Sequence, residues 1–261
     1  MANLIKMDMR RLFHSKVFYI TMGIVAFLNI VILAAVPMVS KLLMPQAEAG
    51  VTNLSSIIAG PFSIGWMIIA VFISMVSFSY ADMANGYIKN IAGQISRRSD
   101  SVFSKLVVIG IHNLVFFVVA SLSMLLGNLI GCGLGGGQIV ADSQVFGGIL
   151  TLLLKWLLSM AVCSILLFFT TGVKNKTLAT IIGVVLGTGT MSLIYGGINA
   201  AVSGIFKVEG FDLSMYMPDS LLSSVNVTDN TGVINAVIVS AAFIAVFTAL
   251  TVKVFNTKDI K

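Results

Sequence analysis

Residues 106–130 read LVVIGIHNLVFFVVASLSMLLGNLI, twenty-five consecutive positions without an acidic or basic side chain other than His112. A helix needs about 20 apolar residues to cross the roughly 30 Å hydrocarbon core of a bilayer. This stretch is long enough by itself. A strand of an outer-membrane barrel would instead read as about ten residues of alternating polarity. Here Leu, Val, Ile and Phe follow one another without alternation, so the segment is a membrane-spanning helix.

Five further stretches have the same character: 17–39, 62–80, 147–171, 178–200 and 233–252. The fold class expected is all-α, a polytopic membrane protein with six transmembrane helices in one domain, 1–261. Only Gly172 to Thr177 separate the fourth span from the fifth. The first apolar run exceeds the roughly 7–15 residues of a signal-peptide core and lacks a small-x-small cleavage site, so it is expected to be retained.

Composition agrees with this reading. Apolar residues make up 57% of the 261, charged residues only 10%, and mean hydropathy is +1.02. Soluble chains carry roughly 45–50% apolar and about 25% charged residues. The deficit of charge excludes a soluble enzyme, a disordered chain and a free nucleic-acid binder. It also excludes a single anchor on a soluble domain, because no long stretch has globular composition.

The charges that remain are sorted by side. Thirteen of the sixteen Lys and Arg fall in 1–16, in the 81–105 loop, between the fourth and fifth spans, or after the sixth. The positive-inside rule therefore places both termini in the cytoplasm. The net charge of +6 follows from attraction to an anionic inner leaflet rather than to nucleic acid. All ten carboxylates fall outside the predicted spans. Ion-coupled carriers usually need one within the membrane, so an ion-driven secondary carrier or channel is the alternative reading and not the leading one.

Residues 3–16, NLIKMDMRRLFHSK, put Ile5, Met9, Leu12 and Phe13 on one helical face. The segment 1–16 reads as a helix lying in the inner interface. The outer loop 40–61 is punctuated by Pro45, Gly50, Gly60 and Pro61 and reads as irregular. The loop 131–145 opens GCGLGGG and reads as a flexible turn. The 201–232 loop is rich in apolar residues, among them Leu221 and Leu222. It is expected to form short helices that dip into the outer leaflet or pack on the bundle.

Asn29, His112, Asn113, Asn128, Lys155 and Asn199 are polar residues within predicted spans. Each is a candidate for interhelical hydrogen bonding or for lining a substrate path. Lys155 beside Trp156 reads as an outer aromatic belt with an outward-snorkelling amine. Gly127/Gly131 and Gly183/Gly187 are GxxxG pairs, which permit close helix contact. Cys132 and Cys163 show no metal-ligand spacing. No catalytic or metal residues are assigned: there is no HExxH and no GxSG-like serine, His14 lies near the inner surface, and His112 has no nucleophile or acid beside it in sequence. Gly131 and Gly136 lack the Lys that a Walker A loop requires.

The long cytoplasmic loop 81–105 is the informative segment. It carries Asp82, then Asn85-Gly86-Tyr87-Ile88-Lys89-Asn90, then Arg97-Arg98, then Ser104-Lys105. This pattern resembles the corresponding loop of the ABC-2 family of ATP-binding-cassette permeases. The basic amphipathic start, the six spans and the last outer loop with Met217-Pro218-Asp219 are similar to that family as well. The resemblance implies a permease without a cofactor of its own. ATP and Mg would be bound by a partner ATPase subunit docked on Asp82, Asn85–Asn90, Arg97 and Arg98. It also implies a second permease copy, as a homodimer or paralogous heterodimer, in a bacterial cytoplasmic membrane. The short chain is similar to the subgroup that gives immunity to lantibiotics and bacitracin or exports phenol-soluble modulins. Amphipathic, antimicrobial or toxin peptides are therefore the substrate class implied.

Overall fold

In hydrocarbon, a chain can satisfy its backbone N–H and C=O groups only within helices or a closed barrel. The computed structural model describes residues 1–43, 50–61, 65–84, 98–206, 211–227 and 230–257, and 87% of these are helical. Helix α1 (Ala2–Phe13) leads through His14 and Ser15 into α2 (Lys16–Leu43). Then come a three-residue strand β1 (Val51–Asn53), a short helix α3 (Leu54–Ala59) and α4 (Gly65–Ala84). Helix α5 (Arg98–Gly135) is followed by β2 (Gln138–Val140) and α6 (Val145–Leu167), which ends in a π-helical turn, Phe168–Gly172. The chain continues with α7 (Lys176–Gly187), α8 (Met191–Phe206), a 3-10 turn (Leu213–Tyr216), α9 (Pro218–Ser224) and α10 (Asn230–Thr257).

Four of these helices are long and apolar enough to cross a membrane: Lys16–Leu43, Ser99–Gly135, Val145–Gly172 and Asn230–Thr257. A fifth crossing is made if α7 and α8 count as one. The expected continuous span 178–200 is instead two helices bent by 72°. The break falls at Thr188–Thr190, where Gly189 takes φ +71°, a left-handed conformation open to glycine without a Cβ penalty. Of the stretch read as span 62–80, the described residues from Gly65 lie in α4, whose apolar part, Gly65–Ala81, is shorter than the four long helices.

The described parts of the loops 40–61 and 131–145 are more ordered than expected. Residues 131–135 continue α5. β1 and β2 pair in parallel, with Val51 opposite Gln138, Thr52 opposite Ile139 and Asn53 opposite Val140. The 81–105 loop is shortened from both ends by α4 and α5. In the 201–232 segment, α9 packs on α6 and α10 and buries Leu221 and Leu222.

The amphipathic helix also differs in its face. The buried positions of α1 are Asp8 and Leu12, with Ile5 and Met9 partly buried, while Phe13 is exposed. The helix packs on α5 rather than standing alone in the interface. A carboxylate thus occupies a face that the apolar pattern assigned to hydrocarbon.

The α2–α5 pairing is the most extensive helix contact in the bundle, and a line of glycines explains it. A Cβ on Gly127 would lie 3.0 Å from the Asn29 carbonyl oxygen. One on Gly131 would lie 2.6 Å from that of Leu33, and one on Gly135 2.6 Å from the Pro37 side chain. Small residues at a four-residue spacing let two backbones touch. At Gly187 the nearest neighbour is Ile69 Cγ1 at 2.9 Å, whereas Gly183 has ordinary packing distances. Gly131→Val should therefore push α2 from α5 and cost about 1–3 kcal/mol of stability. Gly23→Ala, with nothing within 4 Å of its Cβ, should be close to neutral. Thermal unfolding of both variants in detergent checks this, and equal effects would contradict the seam.

Candidate functional site

Polar side chains enclosed among helices gather in three places: mid-bundle, at the α1 end and at the opposite end. At mid-bundle, α4, α5 and α6 are joined by one chain of hydrogen bonds. Asn113 Nδ2 donates to Ser159 Oγ at 3.1 Å and to Cys163 Sγ at 3.3 Å. Its Oδ1 therefore faces His112 Nδ1, which donates to it at 3.1 Å. That fixes the tautomer, so His112 Nε2 accepts from Ser74 Oγ at 3.0 Å. Ser159 Oγ in turn donates to the Trp156 carbonyl, and Trp156 Nε1 donates to the Gly110 carbonyl at 2.9 Å. Nearby, Asn29 Nδ2 of α2 donates to Ser123 Oγ of α5 at 3.0 Å.

Sequence reasoning found no nucleophile for His112; the structure brings one from 38 positions away. Ser74, His112 and Asn113 have the order of a hydrolase triad. They lack access, with exposures of 2%, 1% and 0%. The rings of Phe18 and Phe116 close on the imidazole, with centroids at 5.4 and 4.9 Å. The group acts as a hydrogen-bonded pin between helices. Ser74→Ala should leave the histidine acceptor unpaired and cost about 1 kcal/mol of stability. A fluorophosphonate probe should not label Ser74 in the intact protein; labelling lost in Ser74→Ala would establish a reachable nucleophile.

At the α1 end, Ser104 Oγ of α5 donates to Asp8 Oδ2 at 2.6 Å, and Arg11 lies 3.4 Å from Asp8 Oδ1. Lys105 beside it is buried. These contacts tie the amino-terminal helix to the start of α5. The adjoining residues expected to contact an ATPase, Asn85, Gly86, Tyr87, Ile88, Lys89, Asn90 and Arg97, lie outside the described residues. Asp82 ends up in the last turn of α4 and Arg98 at the first position of α5, but their side chains also lie outside what is described.

At the opposite end, the Lys155 ammonium is turned inward. It is buried and donates to the Ala59 carbonyl at 2.8 Å, the last residue of α3. A cation at a helix C-terminus meets the negative end of the helix dipole. With Trp156 bonded inside the bundle, the expected aromatic belt with a snorkelling lysine is not what these two residues form. Asn199 Nδ2 donates to Asp212 Oδ1 and its Oδ1 accepts from the Leu213 N–H, both at 2.9 Å, holding the 3-10 turn on α8. Tyr195 OH donates to Asp219 at 2.9 Å. Asn128 bonds within its own helix, to the Met124 carbonyl. The Asn235 amide donates to the Met215 carbonyl. Among the described residues, no three His, Cys, Asp or Glu side chains gather as a metal site would require.

Asp142, just after β2, accepts from Ser55 Oγ at 2.5 Å and from the Ser55 N–H at 3.1 Å. The Ser55 hydroxyl, foremost, holds its carboxyl below the usual range. A depressed carboxyl favours the folded state above the ordinary Asp value of about 3.9, and the contribution is lost as pH falls through the lowered folded value. Asp142→Asn should unfold at a lower temperature than the parent at neutral pH. The gap should close in strong acid. A gap independent of pH in thermal melts would contradict this role.

No protein-family model matches the chain, and comparison with curated proteins gives no match. The geometry defines a class, a polytopic helical membrane protein. Its particular activity is argued from residues alone.

Proposed function

We propose that this chain is the membrane-spanning permease subunit of an ATP-driven exporter of the ABC-2 type. In this reading it makes six crossings, with α4 as the second and the bent α7–α8 pair as the fifth. Both termini face the cytoplasm of a bacterial cell. Two permease copies work with two ATPase subunits, which bind ATP and Mg. The substrates are amphipathic peptides, antimicrobial or toxic, which already partition into the bilayer.

The observation that carries the proposal is the buried Asp8–Ser104 bond. It fastens a basic amphipathic helix to the start of the longest span, read here as its cytoplasmic end, and Ser104 follows the Arg97-Arg98 pair by a few residues in sequence. A push on this elbow from a cytoplasmic subunit moves α5 directly. Arg97 and Arg98 suit bidentate pairing with carboxylates on such a partner. The sequence also supports an external energy source, since no carboxylate falls within a predicted span.

The test is purification of the tagged chain from its native membrane in mild detergent, with identification of whatever accompanies it. A stoichiometric subunit with a Walker A motif is expected. Arg97→Glu with Arg98→Glu should remove that subunit while the chain still inserts. Asp8→Asn should weaken ATP-dependent export more than it weakens insertion. Export that continues under an uncoupler while ATP is maintained fits the proposal. A chain purified without any nucleotide-binding partner, or export abolished by the uncoupler, would favour an ion-driven carrier or channel.

A further inference from the structure

At the end of the bundle away from α1, a polar cavity of about 520 Å³ is lined by Asn53, Ser56, Ser143, Gln144, Thr151 and Asn226, among others. An apolar groove of about 350 Å³ is lined by Leu150, Leu153, Leu154, Trp156, Leu157 and Val233. The two meet at Val227, which lines both. Their order along α6 is regular. Gln144, Gly147, Gly148 and Thr151 form one i, i+3, i+4, i+7 stripe facing the polar cavity. Leu150, Leu153, Leu154 and Leu157 form the neighbouring stripe, six residues further toward the bundle centre. At 1.5 Å per residue this displacement is about 9 Å. The lining thus passes from polar to apolar in the direction in which a bilayer passes from headgroup to acyl chain.

The polar wall is built in advance. A Cβ on Gly148 would lie 2.7 Å from the Ser55 carbonyl oxygen, so α3 rests on α6 at that glycine. The Lys155–Ala59 bond holds the other end of α3, and Asp142 holds its start. Asn53 and Gln144 stand at the N-cap positions of α3 and α6, yet neither side chain caps its own helix. Both line the cavity instead. The described lining combines amides and hydroxyls with Phe146, Ala59 and Val227, and the charged groups next to it, Asp142 and Lys155, are engaged by Ser55 and the Ala59 carbonyl. Such a wall hydrogen-bonds a neutral, hydroxyl-rich group while its apolar members pack against the sugar's C–H faces, and the nearest cation, Lys155, is committed to the Ala59 carbonyl rather than presented to a ligand.

We propose that these joined cavities are a binding site for a membrane lipid with an uncharged, polyhydroxylated headgroup, such as a glycosyl diacylglycerol, taken from the leaflet opposite α1. The sugar occupies the polar cavity, and one acyl chain lies along Leu150–Leu157. This site is independent of the ATP-driven reading, since it rests on other residues and needs no partner.

The test uses the full chain in detergent, delipidated and titrated by native mass spectrometry. The probes are monoglucosyl dioleoylglycerol, dioleoylglycerol and dioleoylphosphatidylglycerol, which share their acyl chains. The glucolipid should bind most tightly. Gln144→Leu, at an exposed position, should weaken it by roughly three- to tenfold through the lost hydrogen bonds without affecting dioleoylglycerol. Leu153→Trp should weaken the glucolipid and dioleoylglycerol alike by about tenfold or more, because the ring takes the space in which the acyl chain is buried. Should Leu153→Trp fail to fold, the exposed Gln144→Leu variant decides the question. Preference for the anionic lipid, equal binding of all three, or glucolipid binding unchanged in Gln144→Leu would overturn the proposal.

Discussion

Polar side chains enclosed in the bundle hold its helices to one another by hydrogen bonds, although the buried hydroxyls of Ser79, Ser121 and Thr248 have no partner among the described residues. Ser74, His112, Asn113 and Ser159 bond in one line across α4, α5 and α6, and Asn29 and Ser123 join α2 to α5. Without water, each group left unpaired would cost the free energy of desolvation with no return. The apolar contacts around them can slide with little change in energy, since lipid tails are as apolar as leucine. The polar pairs cannot slide. They set the register of the helices, and the glycines of α5 then let α2 close on its backbone.

Helix α5 is the member on which the rest converges. It touches α1, α2, α4, α6 and α10. One end is held by Asp8 through Ser104, and its far end runs into β2 and so into the β1–β2 pair. Helix α5 thus connects the α1 contact at one end of the bundle to the β1–β2 pair at the other. That continuity is the mechanical basis of the proposed coupling, in which a cytoplasmic subunit would act on α5 through the Asp8–Ser104 contact. The far end is stiffened separately. Lys155, Asp142 and Gly148 fix α3 against α6 and keep the polar cavity open.

Much of this architecture is legible in the sequence because burial in lipid requires long apolar runs. Residues 17–39, 106–130, 147–171 and 233–252 announce four crossing helices, and the structure extends each by a few residues at its ends. The glycines at 127 and 131 are visible as a pair, but their partner α2 is not. Asp8 was legible only as a charge near the inner surface. Its burial depends on Ser104, ninety-six positions away, and local periodicity carries no record of so distant a partner. The nucleophile-like contact of Ser74 with His112 is hidden for the same reason.

Sequence by itself determined that the chain is helical and carries several apolar runs long enough to cross a membrane. Those properties depend on composition and on a period of a few residues, which water and lipid read without regard to neighbours. Tertiary structure alone decided that the 178–200 run breaks at Gly189 and that Lys155 turns inward to the end of α3. It also decided that three separate loops meet to make a polar cavity above an apolar groove. Each of these depends on groups distant in the chain satisfying one another in a medium with no water to do it for them, and only the folded arrangement states which groups those are.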